Sequence, residues 1–275
     1  MRRLRALVAA LSREELETSA LPDGTRLERD LAYGPAAAQG LDAYLPARPG
    51  GAILVVVHGG AWSFGDKANP ALAAKLAHWL PAGVAVASVN YRLLPLAGVL
   101  EQARDVARAI AFVQQQAAGW RADPARLVVL GHSTGAHLAA LLAADPGLAE
   151  AEGATPWLAT VLLDSAALDV PALMAAPHLP LHDRAFGSSE SEWRSLSPLH
   201  RLRARPAPVL IVHSTRRQDA TAASQRFAAA VRARGGRAEI HEVALSHVEI
   251  NVQLGLANAY TERVDAFLRS VGVPS

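Results

Sequence analysis

The stretch Leu127-Val128-Val129-Leu130-Gly131-His132-Ser133-Thr134-Gly135-Ala136-His137-Leu138 decides how this chain is read. Its first four residues form a short apolar run of the kind that makes a buried strand. The next five are a G-x-S-x-G turn, and the alanine- and leucine-rich residues that follow read as a helix. A serine held on so sharp a strand-to-helix turn projects its hydroxyl over the sheet edge. Side chains at the flanking positions would collide with the neighbouring strand and helix, which is why glycines stand there. Ser133 is therefore a candidate nucleophile. The competing reading is a Gly-rich turn whose helix N-terminus cradles a phosphate.

The same alternation extends in both directions. Continuous apolar runs at 52–57, 84–89, 127–130, 158–163, 209–213 and 238–243 predict strands buried on both faces. Two shorter strands, 27–33 and 41–45, open the chain around Gly34-Pro35 as a hairpin-like pair. Helices are predicted at 71–80, 99–118, 136–144, 221–234 and 253–269, with Gly235-Gly236 ending the fourth. Strand and helix in alternation imply a mostly parallel, eight-stranded α/β sheet with helices on both faces. The 275 residues suit a single domain spanning 1–275, and no internal repeat or low-complexity linker divides it. One segment, 166–205, breaks the rhythm with Pro171, Pro177, Pro180 and Pro198 and no long strand. It is read as a small cap or pocket wall over the strand ends, the alternative being a surface excursion.

A serine hydroxyl needs a base to take its proton and a carboxylate to orient that base. Where such a serine follows a strand, its partners come in the order serine, acid, histidine. Of the ten histidines, His247 lies in the right place, in the loop after strand 238–243. His241 reads as a strand-face residue, and His132 and His137 as local packing or capping groups. The acid is expected just after strand 209–213, where Ser214-Thr215-Arg216-Arg217-Gln218-Asp219 holds a single carboxylate. Asp219 is thus the candidate by elimination, or else an N-cap for the helix behind it; Asp164, Asp169 and Asp183 are alternatives from the preceding segment. Carbonyl chemistry also requires backbone amides aimed at the developing oxyanion. His58-Gly59-Gly60-Ala61-Trp62 begins where strand 52–57 ends, so the amides of Gly60 and Ala61, with that of Thr134, are the expected oxyanion hole. Trp62 is read either as a wall of the substrate pocket or as core.

Composition narrows the classes further. Hydrophobic residues make up 51% and charged residues 19%, a folded rather than a disordered balance. The net charge of +2 and scattered arginines, with no interleaved aromatics, argue against a nucleic-acid partner. The absence of cysteine removes disulfides, thiol catalysis and thiolate metal sites. The start, Met1-Arg2-Arg3-Leu4-Arg5, leads into an apolar run broken by Ser12-Arg13-Glu14-Glu15, which predicts an amphipathic leading helix rather than an export signal. A cytoplasmic, non-membrane protein is expected, with no cofactor and no metal; a homodimer stays open.

His58-Gly59-Gly60-Ala61-Trp62, Asn90-Tyr91-Arg92-Leu93, Gly131-His132-Ser133-Thr134-Gly135-Ala136-His137-Leu138 and the late Ser246-His247 together resemble the α/β-hydrolase superfamily. Within it the chain looks most like the esterase/lipase branch that includes kynurenine formamidases and small bacterial carboxylesterases, over roughly residues 30–270. The resemblance implies an α/β-hydrolase fold, an HGGxW motif supplying oxyanion amides, and a serine–acid–histidine triad. The activity it implies is that of a serine-dependent carboxylesterase acting on small to medium esters. An arylformamidase acting on N-formylkynurenine, a small-molecule amide, is the close alternative, and a non-catalytic ligand-binding relative the alternative of another class. The chain departs from the family pattern in three places: Thr134 where alanine is more usual, Arg216 and Arg217 near the usual carboxylate slot, and a cap without a substrate signature.

Overall fold

The structure is a computed structural model and describes residues 21–275. The expected leading helix lies outside the described residues. Eight strands form one sheet: β1 (Arg26–Ala32), β2 (Gly40–Leu45), β3 (Ile53–Val57), β4 (Ala85–Val89), β5 (Leu127–His132), β6 (Ala159–Leu163), β7 (Val209–Ser214) and β8 (Ala238–Val243). Their spatial order is β1-β2-β4-β3-β5-β6-β7-β8. β1 pairs antiparallel with β2, and β2 antiparallel with β4, while every pair from β4 to β8 is parallel. The eight-stranded, mostly parallel sheet expected from the sequence is what forms.

The period of two along each strand sorts the core into two layers. Ile53, Val55 and Val57 of β3 pack into one apolar layer, and Leu54 and Val56 into the other. The first layer is covered by α2 (Val99–Gln116), α3 (Thr134–Ala144) and α9 (Gln218–Ala233). The second is covered by α1 (Leu72–Trp79), α10 (His247–Val252) and α11 (Ala259–Ser270). A short α4 (Pro146–Glu150) follows α3. α2 is tied ionically to the loop after β4: Arg92 makes two 2.8 Å bonds to the fully buried Asp105.

Segment 166–205 folds as four short helices, α5 (Val170–Ala175), α6 (Pro180–Phe186), α7 (Glu190–Ser195) and α8 (Pro198–Arg201). At the C-terminal end the sequence expected His247 in a loop and a helix over 253–269, whereas α10 forms over His247–Val252 and α11 begins only at Ala259. Ser246 caps α10 by accepting from Glu249 N–H, and Glu249 accepts from Ser246 N–H in return. The chain then turns at Gly255 and restarts at Asn258, which accepts from Thr261 N–H at 2.8 Å. His247 thereby becomes the first residue of a helix rather than a loop residue.

From β3 the chain travels to β4 on one side, then returns to β5 on the other. Open α/β sheets form a crevice at the C-terminal ends of the strands where the direction of winding reverses. Here the His58–Trp62 loop leaves β3, and Ser133 leaves β5, at that point.

Candidate active site

Ser133 sits at φ +56°, ψ −116°, a strained conformation for a non-glycine residue, between the last residue of β5 and the first of α3. The turn holds it there by close approach. A Cβ on Gly135 would overlap the Val57 carbonyl oxygen, and one on Gly131 would overlap the Gly135 carbonyl. Ser133 N–H donates to Leu163 O at 2.8 Å, tying the turn to the end of β6.

His247 reaches the turn from α10. Its Nε2 is 3.0 Å from Ser133 Oγ, and its Nδ1 is 2.6 Å from Asp164 Oδ2. The carboxylate that meets the imidazole is therefore Asp164, at the end of β6, and not Asp219. Helix α9 begins at Gln218, so Asp219 falls in its first turn, half-exposed, where it pairs with Arg217 at 2.9 Å. Neither is it the N-cap, a position held by Arg217. Asp169 pairs with Arg226 at 2.6 Å, and Asp183 with His178 at 3.0 Å. Asp164 was legible only as an alternative. Its signal was its place as the first residue beyond the apolar run Val161-Leu162-Leu163, together with two arginines filling the slot after β7. It adopts φ +52°, a region that Asp tolerates better than most residues.

The Asp164 side chain is buried. Burial alone would push its carboxyl up, but hydrogen bonds from His247 and from Ser214 N–H at 2.9 Å, with the Arg217 guanidinium alongside, hold it well below the usual carboxylate range. His132 lies beside His247 with ring centroids 4.6 Å apart and the rings tilted by 36°, and its Nε2 donates to the His247 carbonyl at 3.0 Å. Burial, and secondarily the His247 charge, push His132 down to about 3, so it is a neutral donor that fixes the first residue of α10.

The His58–Trp62 loop runs against this turn: a Cβ on Gly59 would fall 3.0 Å from Ser133 Cβ. Gly60, Ala61 and Trp62 take φ values of +139°, +49° and +59°, a left-handed run that folds the loop back over the β3 terminus. His58 stacks on Tyr91 at 4.5 Å, and Tyr91 Oη donates to His58 O at 2.8 Å, which pins the loop from beneath. Gly60, Ala61 and Thr134 all line the cleft into which Ser133 opens.

The family model described as BD-FAE matches residues 41–161. An isoprenylcysteine alpha-carbonyl methylesterase of Arabidopsis thaliana is 32% identical over 131 residues, 46% of this chain and 30% of the relative. A kynurenine formamidase of Danio rerio is 34% identical over 134 residues, 45% of this chain and 43% of the relative. The chain thus spans less than half the length of these relatives. The butyrate-bound structure of esterase 2 from Thermogutta terrifontis superposes with a TM-score of 0.73 at 25% identity, covering 92% of this chain and 96% of that one. The chain has the α/β-hydrolase fold.

In this fold the cleft above Ser133 encloses about 1170 Å³ and is walled by the His58–Trp62 loop, α5, α6 and α10. Trp62 lines it and is also core. Only 4% exposed, it packs edge-on to Phe186 at 4.8 Å and donates from Nε1 to His137 Nδ1 at 3.2 Å. His137 Nε2 in turn donates to Leu196 O at 2.8 Å. Burial pushes His137 down to about 4, consistent with a neutral imidazole that accepts on one side and donates on the other. His137 therefore links the helix behind Ser133 to segment 166–205. Among the described residues, no cluster of three or more His, Cys, Asp or Glu could hold a metal ion, and no helix is long and apolar enough to cross a membrane.

Proposed function

We propose that the chain is a serine hydrolase that cleaves carboxylic esters of small to medium size through an acyl-enzyme. The observation that carries this reading is the unbroken contact from Ser133 Oγ through His247 to Asp164, at 3.0 and 2.6 Å. His247 Nε2 takes the hydroxyl proton as Ser133 attacks the ester carbonyl, and Asp164 stabilises the imidazolium that forms. The amides of Gly60, Ala61 and Thr134 receive the oxyanion, each such donor contributing on the order of 3 kcal/mol to the transition state. The imidazolium then protonates the leaving alcohol, and a water activated by the same histidine releases the acid. Segment 166–205 acts as the cap that shapes the acyl or alcohol side of the cleft, with Trp62 as a shared wall. The esterase names among its relatives support the same reading.

Purified protein assayed on p-nitrophenyl acetate, butyrate and octanoate, with Ser133→Ala as control, tests it. Ester turnover lost in the variant is expected, and the chain-length profile sizes the cleft; wild-type turnover retained in Ser133→Ala would overturn the reading. A second reading, hydrolysis of an aryl formamide such as N-formylkynurenine, is favoured by the similarity to the zebrafish formamidase. Its measure is the ratio of kcat/KM for that formamide to that for the best ester.

A further inference from the structure

Arg217 occupies the turn after β7, where the sequence led us to expect a carboxylate, and it reaches back to the acid that meets His247. Its Nη1 donates to Asp164 Oδ2 at 2.8 Å and to the Asp164 carbonyl at 3.2 Å. The same Nη1 lies 3.0 Å from His247 Nδ1. The 2.6 Å separation between Nδ1 and Oδ2 requires a proton on Nδ1, so that nitrogen cannot also accept from Arg217. Two donors, one imidazole and one guanidinium, therefore share a single carboxylate oxygen. On its other side Arg217 donates from Nη2 to Asp219 Oδ2 at 2.9 Å. Ser133, His247, Asp164, Arg217 and Asp219 form one continuous chain of contacts, with the carboxylate expected in the triad at its outer end.

This arrangement has an electrostatic consequence. A buried carboxylate with no other partner favours the protonated imidazole beside it. A carboxylate already paired with a guanidinium favours it less, and the guanidinium itself repels an imidazolium at this distance. We propose that Arg217 is a positioning residue of the triad, fixing Asp164 and lowering the pH above which His247 is free to act as a base, with the Asp219 carboxylate partly offsetting its charge. The proposal rests on the serine-hydrolase reading above.

Other groups facing His247 do not provide this charge. His132, from β5, is kept neutral by burial. Lys75, from α1, reaches α10 only through Asn251. Glu249, on α10 itself, is occupied by the Ser246 cap and lies 3.6 Å from Arg216. The Arg217 side chain is 29% exposed and that of Asp219 48% exposed, so solvent damps both effects, that of Asp219 more.

The test is the pH profile of kcat/KM on a p-nitrophenyl ester for wild type, Arg217→Gln, Arg217→Lys and Asp219→Asn, with Ser133→Ala alongside. In Arg217→Gln the acid limb is expected to move up by roughly one pH unit. Arg217→Lys restores the charge and should keep the limb near its wild-type position. Asp219→Asn frees the guanidinium from its counter-charge and should move the limb down by a smaller amount. An arginine that only braces the fold would lower the plateau and leave the limb where it is, and that outcome overturns the proposal, as does a limb in Arg217→Lys displaced as far as in Arg217→Gln. Should melting curves show Arg217→Gln unfolded, Asp219→Asn decides: a downward move supports the assignment, and an unmoved or raised limb overturns it. Ser133→Ala with wild-type turnover would sink both readings, whereas an inactive Ser133→Ala beside an unmoved Arg217→Gln limb sinks this one alone.

Discussion

Asp164 Oδ2 lies 2.6 Å from His247 Nδ1 across 83 residues of sequence, on the end of β6, one strand nearer Ser133 than the turn after β7. Asp219, by contrast, is turned to solvent and held by Arg217. The two carboxylates should respond very differently to the same change. Asp164→Asn keeps the shape but removes the charge and the acceptor that sets the imidazole tautomer, and kcat on a p-nitrophenyl ester is expected to fall by about 10³ to 10⁴. Asp219→Asn is expected to stay within about tenfold of wild type, the ordinary range for loss of an exposed ion pair and its knock-on effects. A collapse in Asp219→Asn with a mild Asp164→Asn would reverse the assignment.

The contact between His132 and the His247 carbonyl predicts a defect in positioning rather than in binding. His132→Leu keeps most of the buried volume but deletes the 3.0 Å bond that fixes the first residue of α10. Small displacements of a catalytic base cost rate steeply, so kcat should fall by about tenfold while KM changes little. Because His132 is neutral across the working range, the pH profile should keep its shape. Steady-state kinetics at several pH values would show a raised KM or a shifted limb if this account is wrong.

The glycines of the turn make a prediction about stability. A Cβ on Gly135 would land on the Val57 backbone oxygen, and backbone on both sides leaves nothing flexible to yield. Gly135→Ala is therefore expected to cost roughly 3 kcal/mol or more, or to prevent folding, because it drives α3 away from β3. Gly98→Ala is the contrast: no atom lies within 4 Å of its Cβ and its φ is −69°, so the change should stay within about 0.5 kcal/mol. Urea unfolding of the two variants compares them directly. Equal losses would mean that the cost is not steric.

The elements read most easily from sequence were those whose residues answer to local physics. Strand β3 is all apolar because both of its faces are covered, and the Gly131–Gly135 turn announces itself because only glycine fits on either side of Ser133. His247 was legible from its order in the chain. The acid was not, because order in sequence points to a turn, and geometry decides which of two neighbouring turns faces the imidazole. Asp164 sits at the end of β6 and Asp219 in the first turn of the helix that follows the adjacent strand β7, and what separates them is a position and a side-chain direction that no periodicity carries. The visible hint was chemical: Arg216 and Arg217 filled the place where a carboxylate was sought. The short helix α10 escaped because it begins at the Ser246 cap, inside a stretch read as a loop. What separates it from α11 is the turn at Gly255, where the chain passes against the backbone of Ala74 and Lys75.

That last approach brings in Lys75, which is fully buried on α1 and bonded to backbone and amide oxygens: Ala71 O at 2.9 Å, Asn251 O at 2.6 Å and Asn251 Oδ1 at 3.0 Å. Burial pushes its ammonium down to about 7, against an unfolded value near 10.4. Between these two values the unfolded chain holds a proton that the folded chain has released, so stability must rise with pH across the interval and level off below it. The rise from this group approaches about 1.4 kcal/mol per pH unit at most. Lys75→Met, which fills the same space without titrating, should remove that slope, so that its stability curve and that of wild type diverge steadily from pH 7 to pH 10. Urea unfolding across this range measures both, and the mutant subtracts whatever the buried tyrosines contribute at the alkaline end. Parallel curves would mean that the three oxygens hold the ammonium charged in the folded state, and that Lys75 is a fixed cationic strut between α1 and the helix that carries His247.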